Sequence, residues 1–242
     1  NTPPMEISQV DSFITVLILG VIFGGRLGYV LFYNFAFYLQ NPVDILKVWE
    51  GGMSFHGGFL GVIIAVLFYC RFNGIPVLSG GDLIAVATPP GLMFGRISNF
   101  INAELWGRPT NVPWGVIFPG DSAQDCPAVE GICARHPTQL YEASLEGLIL
   151  FILMIFLAYL GFFKRPGSLI GIFMIGYGAS RCFIEFYRVA DPQFISEMNP
   201  RGYVFQFVEL GFTMGQLLSL PMVLVGVILV IRGALQRPLS QS

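Results

Sequence analysis

Six apolar stretches alternate with polar connections along this chain, at roughly 12–37, 57–72, 82–103, 138–163, 167–188 and 213–232. Most reach the ~20 residues that an α-helix needs to cross the hydrocarbon core of a bilayer. The second is short unless it extends back through Phe55. The third contains Pro89-Pro90 followed by Gly91, which predicts a kink or break. The backbone groups freed there need partners from protein or water. The pattern reads as all-α: a polytopic α-helical membrane protein with six spans, forming a single transmembrane domain over 1–242.

Composition supports this. Hydrophobic residues make up 54% of the chain and charged residues 12%, with a mean hydropathy of +0.68. A soluble domain carries roughly 25% charged residues. The 13 basic and 15 acidic residues nearly balance, which argues against a nucleic-acid partner. The 23 phenylalanines suit lipid-facing and interfacial positions. The first eleven residues, ending in Asp11, carry no basic region of the kind that opens a cleavable signal peptide. The chain starts with Asn rather than Met, so an N-terminal part is expected to be missing.

Orientation follows from the connections. Arg71, Lys164, Arg165, Arg232 and Arg237 mark one side, in compact loops and the tail. Longer mixed-charge loops at about 38–56, 104–137 and 189–212 mark the other. The positive-inside rule makes the first side cytoplasmic, and with it both ends of this chain. The Pro-, Gly- and Asp-rich loop 104–137 is expected to form a small external cap, and 189–212, with Pro192 and Pro200, another. Cys126 and Cys133 fall in the first of these, where a disulfide persists if the compartment is oxidising. Cys70 and Cys182 lie in apolar runs and read as buried, inert thiols. No CxxC or Cys/His cluster suggests a metal, and no cofactor is expected.

Five segments bring polar groups towards the outer face on this topology. Tyr29, Tyr33 and Asn34 end the first span, and His56 begins the second. Arg96 to Glu104 ends the third, His136 to Glu142 begins the fourth, and Tyr177, Arg181, Glu185 and Arg188 end the fifth. An arginine in a span costs about 2.5–3.5 kcal/mol on insertion scales, so it faces protein or water. Arg96, Asn99 and, closely, Asn102 recur every three residues near one helix face. Arg96 is then a functional cation or a snorkelling, structure-holding one. Tyr177, Arg181 and Glu185 at i, i+4, i+8 form a polar stripe: an anion site with an oriented arginine, or a self-neutralised pair. Two arginines on different spans exceed what one glutamate needs, and guanidinium suits phosphate bidentately.

His56, between Gly51-Gly52 and Gly57-Gly58, is either a proton acceptor or a histidine hydrogen-bonded at an interface. At a helix start the dipole disfavours its charged form. Arg26 in GGRLGY either contacts a lipid phosphate or pairs with an acid. Glu142 and Glu146 at i, i+4 would repel if both were ionised, so one is expected to be paired or protonated. His136 before Pro137 reads first as a helix-start signal. No GxSxG, Ser/Lys dyad or HExxH is present.

Five co-linear motifs resemble the prolipoprotein diacylglyceryl transferase family. They are GGRLGYVLFYN, GGMSFHGGFLG, GRISNFINAELWGRPT, RHPTQLYE and GYGASRCFIEFYR, and they span nearly the whole chain. The GRxxNFxNxExxGR block resembles the family signature. The family usually has seven spans and an outside N-terminus, so this chain is expected to lack the first. The resemblance implies a bacterial inner-membrane enzyme with its site at the outer face. It would transfer the diacylglyceryl group of phosphatidylglycerol to the lipobox cysteine of prolipoproteins, releasing glycerol-1-phosphate. It places binding or catalysis on His56, Arg96, Asn99, Glu104, Gly107, Tyr177, Arg181 and Glu185. Arg96 and Arg181 would hold the phosphate, Asn99 would contact the headgroup, and His56 would be the base unless Arg181 polarises the thiol. A transporter would instead place its site near the midplane between inverted repeats. A lipid-binding scaffold would leave His56 without a task.

Overall fold

The computed structural model describes residues 5–126, 129, 131–190, 194–196, 199, 201–207 and 210–235. Pro192, Pro200 and Arg237 lie outside them. The described chain is mostly helical, with two compact units, residues 1–83 and 84–240.

The first unit holds α1 (Ile7–Phe32), α2 (Phe35–Gln40), two short 3₁₀ turns over Pro42–Leu46 and Val48–Glu50, and α3 (Phe55–Phe72). Helix α1 ends at its C-cap, Tyr33, and Asn34, which leaves helical geometry, precedes α2. Ser54 starts α3 by accepting from the Gly57 amide at 3.2 Å. The α1–α3 contact is built on glycine. Gly20, Gly24 and Gly28 recur every four residues on α1 and face Gly57 and Gly61 on α3. A Cβ on Gly20 would sit 2.7 Å from the Gly61 carbonyl oxygen, and one on Gly28 2.7 Å from Gly57 Cα. Small residues at this spacing let helix backbones touch, the main source of helix association in lipid. Gly61→Ala is therefore expected to cost about 1–3 kcal/mol of stability through overpacking. Gly58→Ala, whose Cβ would meet nothing nearer than 3.6 Å, is expected to be close to neutral. Thermal unfolding of both variants in detergent checks this.

Helix α4 (Val77–Ile101) starts in the first unit and carries the chain into the second. It begins earlier than the apolar pattern suggested and runs unbroken through Pro89 and Pro90. Pro89 is fully buried, and prolines are tolerated in spans whose neighbours compensate the lost donors.

The second unit continues with α5 (Asp121–Gln124) and α6 (Thr138–Glu142). A π-helical turn (Ala143–Ile149) leads into α7 (Leu150–Tyr159), followed by α8 (Ser168–Ile184). A hairpin of β1 (Phe205–Phe207) and β2 (Leu210–Phe212) precedes α9 (Met214–Leu235). Its core is Ala85, Leu150, Met154 and Leu169. Helices α8 and α9 meet at Gly171 and Gly226, where added Cβ atoms would lie 2.8 and 2.6 Å from the opposite carbonyl oxygen. Among the described residues, four helical stretches are long and apolar enough to cross a membrane: Ile7–Phe32, Val77–Ile101, Thr138–Tyr159 and Met214–Leu235. The apolar helices His56–Phe72 and Ser168–Ile184 are shorter.

The described residues of loop 104–137 are tied together by hydrogen bonds and a disulfide. Val116 and Arg135 exchange both backbone hydrogen bonds, and Gly107 donates to the His136 carbonyl. Cys126 and Cys133 are disulfide-bonded. Buried Arg135 donates to the carbonyls of Ala123 (2.6 Å), Asp125 (2.7 Å) and Gly107 (3.4 Å). Burial pulls its guanidinium below its ordinary pKa.

Candidate active site

In the second unit, polar side chains from three parts of the sequence converge on Glu142, whose side chain is fully buried. Arg96, in the last turns of α4, puts Nε 3.0 Å from Glu142 Oε2. Arg181, near the end of α8, donates from Nη1 to Glu142 Oε1 at 2.9 Å. Arg188, just beyond α8, reaches the same oxygen at 2.5 Å. Arg181 also places Nη2 3.0 Å from Glu185 Oε2, so its fork spans two carboxylates. Arg188 Nε lies 3.8 Å from that second carboxylate. Glu185 is itself buried against α9, where a Cβ on Gly215 would lie 2.6 Å from its Oε2. The contacts to Glu142 Oε2 and Glu185 Oε2 are ion pairs off the hydrogen-bond direction.

The arginine side chains keep between 17% and 21% of their surface exposed, while the carboxylates are covered. Three guanidinium groups are thus held on a buried acidic base with part of each open. Such an array can accept an anion through unused N–H donors. Tyr177, one turn before Arg181 on α8, stacks on Phe173 and has Glu146, Arg181, Arg96 and Glu142 as electrostatic neighbours.

Asn99, Asn102 and Glu104 form an adjoining group. Asn99 Nδ2 donates to Glu104 Oε1 at 2.7 Å, and Asn102 Nδ2 lies 3.5 Å from the same oxygen. Ala103 (φ 53°) and Leu105 (φ 58°), on either side of Glu104, are left-handed. For residues with a side chain this conformation is strained, and it persists only where surroundings enforce it. Gln139 Nε2 enforces it here by donating to the Glu104 carbonyl at 2.6 Å, with Thr138 Oγ1 on the Leu105 carbonyl at 3.2 Å. Gly107 is pressed against both backbone and side chains: a Cβ would meet the Tyr187 carbonyl oxygen at 2.6 Å and Thr138 Cγ2 at 2.7 Å.

His56 and Arg26 belong to the first unit. His56 is exposed in the first turn of α3, the helix start anticipated for it. Arg26 is buried, and its hydrogen-bond partners among the described residues are backbone carbonyls. It donates to the carbonyls of Asp44 (2.5 Å), Ile45 (2.8 Å), Gly51 (2.6 Å) and Gly52 (3.2 Å), beneath the Tyr38 ring at 5.2 Å. It clamps the 44–52 segment, a role neither sequence alternative contained. Arg26→Met is expected to leave these carbonyls short of a donor, at roughly 1–3 kcal/mol for a buried unsatisfied group. Faster hydrogen exchange across 44–52, before any change in α3, would report it.

His136 is structural. Its Nδ1 lies 3.0 Å from the Tyr141 hydroxyl, which also accepts from Trp114 Nε1 at 2.8 Å. The Tyr141 and Tyr187 rings pack edge-on to it, and burial lowers its pKa, keeping the ring neutral.

The expectation that one of Glu142 and Glu146 is paired falls on Glu142, but sequence reasoning did not identify its three arginine partners or its place as the hub. The available signal was charge count: three arginines ending two spans need more than Glu185. Among the described residues no cluster of His, Cys, Asp and Glu is arranged to hold a metal ion.

The family profile described as prolipoprotein diacylglyceryl transferase matches residues 2–232. A Cereibacter sphaeroides protein named phosphatidylglycerol–prolipoprotein diacylglyceryl transferase is 58% identical over 231 residues, covering 95% of this chain and 79% of the relative. Proteins of the same name from Ruegeria pomeroyi and Bradyrhizobium diazoefficiens are 57% and 46% identical, over 96% and 98% of this chain and 79% of each relative. With the profile spanning almost every residue and the helices apolar enough for a bilayer, the chain belongs to the prolipoprotein diacylglyceryl transferase family and is a membrane-bound transferase.

Proposed function

We propose that the chain transfers the diacylglyceryl group of phosphatidylglycerol to the thiol of a prolipoprotein's lipobox cysteine. The cysteine sulfur attacks the diacylglyceryl carbon bonded to the phosphate oxygen. A C–S thioether forms and that C–O bond breaks. Glycerol-1-phosphate leaves with the bond's electron pair, and the thiol proton passes to a base. This is the first step of bacterial lipoprotein maturation, and no cofactor enters it.

The observation carrying this reading is the cluster of Arg96, Arg181 and Arg188 on buried Glu142, in a chain of this family. A free thiol has a pKa near 8.5 and is mostly protonated at neutral pH. The departing phosphate gathers negative charge, which preorganised donors stabilise. Arg96 and Arg181 hold the phosphate in this reading, and Asn99 contacts the headgroup. Glu104 orients Asn99, with Gly107 giving the backbone room to turn beneath it. Tyr177 and Glu185 flank and orient Arg181. His56 is the candidate base, with Arg181 polarising the thiol as the alternative. Arg26 serves substrate binding through the 44–52 segment it clamps.

The chain is read as one six-span transmembrane domain in the inner membrane, with this site at the outer face and the C-terminus in the cytoplasm. The Cys126–Cys133 disulfide supports an oxidising compartment for the cap. The test is a transfer assay with phosphatidylglycerol, a lipobox peptide and its Cys→Ala control. Thiol-dependent release of glycerol phosphate with a diacylglyceryl mass gain on the peptide is expected. Lipid binding by folded protein without release would replace the enzyme reading with a scaffold.

A further inference from the structure

Glu146 has no part in the reaction above, yet among the described residues it is a buried acid whose carboxylate is left without a hydrogen bond. Its side chain is fully buried, and neither carboxyl oxygen has a hydrogen-bond partner. It lies one turn after Glu142, inside the π-helical turn Ala143–Ile149. Gly147 beside it presses on Met93 of α4, where a Cβ would meet Met93 Cβ at 2.6 Å. Single π-turns recur at functional sites, where they displace a side chain from the regular helical face. Among the described residues, the charged and titratable groups around Glu146 are Glu142 on its own element, Arg96 from α4, Tyr177 and Arg181 from α8, and Arg188 beyond it. Glu142 and Glu185, by contrast, each lie within 3.0 Å of a guanidinium nitrogen.

Charge balance gives this isolation a consequence. Three arginines face three carboxylates, so the cluster is neutral when all are ionised. A phosphodiester brings one further negative charge into a covered site, where an uncompensated charge is costly. We propose that the cluster binds its anionic lipid together with one proton, and that Glu146 takes that proton. The proton comes from solvent and leaves when the anion does. Glu142 and Glu185 stay ionised because their arginines hold them so. Glu146 is thus a charge-balancing residue that sets the pH dependence of lipid binding without touching the reacting atoms. The inference rests on reading the arginine cluster as the anion site.

Calorimetric titration of the detergent-solubilised protein with dihexanoyl phosphatidylglycerol tests it, in buffers of different ionisation enthalpy from about pH 6 to about pH 9. Up to one proton taken up per lipid is expected in the wild type. Its dissociation constant should rise by as much as about tenfold per pH unit towards the alkaline end. Glu146→Gln, a fixed neutral mimic, should bind with no proton uptake and a flat pH profile, whereas Glu146→Asp should retain both. Binding by the wild type without proton uptake at any pH overturns the inference and leaves the anion site standing, as does undiminished uptake in Glu146→Gln. Failure of the wild type to bind the lipid overturns both. If Glu146→Gln does not fold, Glu146→Ala, equally unable to take a proton, is expected to lose the uptake in its place, and undiminished uptake there likewise overturns the inference.

Discussion

Replacing Glu142 with glutamine is expected to lower stability by about 3–5 kcal/mol, the usual cost of removing one partner from a buried charge pair. Three guanidinium groups would lose their common acceptor at once: Arg96, Arg181 and Arg188 all lie within 3.0 Å of its carboxylate. Their mutual repulsion would splay them, and misplacing catalytic groups by an ångström can cost on the order of 100-fold in rate. The two effects separate experimentally. Thermal unfolding in detergent reports the first, and transfer measured well below the unfolding temperature reports the second. A variant with wild-type stability and turnover would remove Glu142 from the centre of the site.

Arg181→Lys should show the reverse balance. Arg181 reaches Glu142 through Nη1 and Glu185 through Nη2 at 2.9 and 3.0 Å. A lysine ammonium keeps the charge, and with it much of the electrostatic stability, but a point charge cannot span two carboxylates or present a planar fork to phosphate. Loss of one preorganised donor to a developing anion costs about 100- to 1,000-fold in kcat. A drop of that size, with a far smaller change in unfolding temperature than Glu142→Gln produces, is the expected result. Steady-state transfer kinetics check it, and wild-type turnover would remove Arg181 from the chemistry.

The helices were legible in the sequence because hydropathy is a sum over some twenty residues and tolerates local exceptions. Their ends were less so. The apolar run continues through Phe37, yet the polar Tyr33 and Asn34 within it mark the end of α1, and the chain leaves helical geometry at Asn34. Pro89-Pro90 predicted a break that packing overrode. The arginines stood out because charge in a span is rare and costly. Their common partner did not. Which acid a guanidinium chooses depends on tertiary approach, and Glu142 lies 46 residues from Arg96 and 39 from Arg181. Arg26 misled for a related reason: backbone carbonyls satisfy a guanidinium as well as acids do, and sequence spacing cannot reveal them. The π-turn around Glu146 was equally hidden, since no periodicity in ASLEGLI departs from that of an α-helix.

The glycine seam between α1 and α3 bears on how lipid moves. Where Gly20, Gly24 and Gly28 meet Gly57 and Gly61, the backbones are too close to admit even a methyl group. An acyl chain is a column of methylenes wider than that gap, and prising the two helices apart would forfeit their shared van der Waals contact with nothing polar to replace it. Within the first unit this seam is therefore a wall. On the proposed function, a diacyl substrate arriving sideways from the bilayer would pass along some other boundary of the protein.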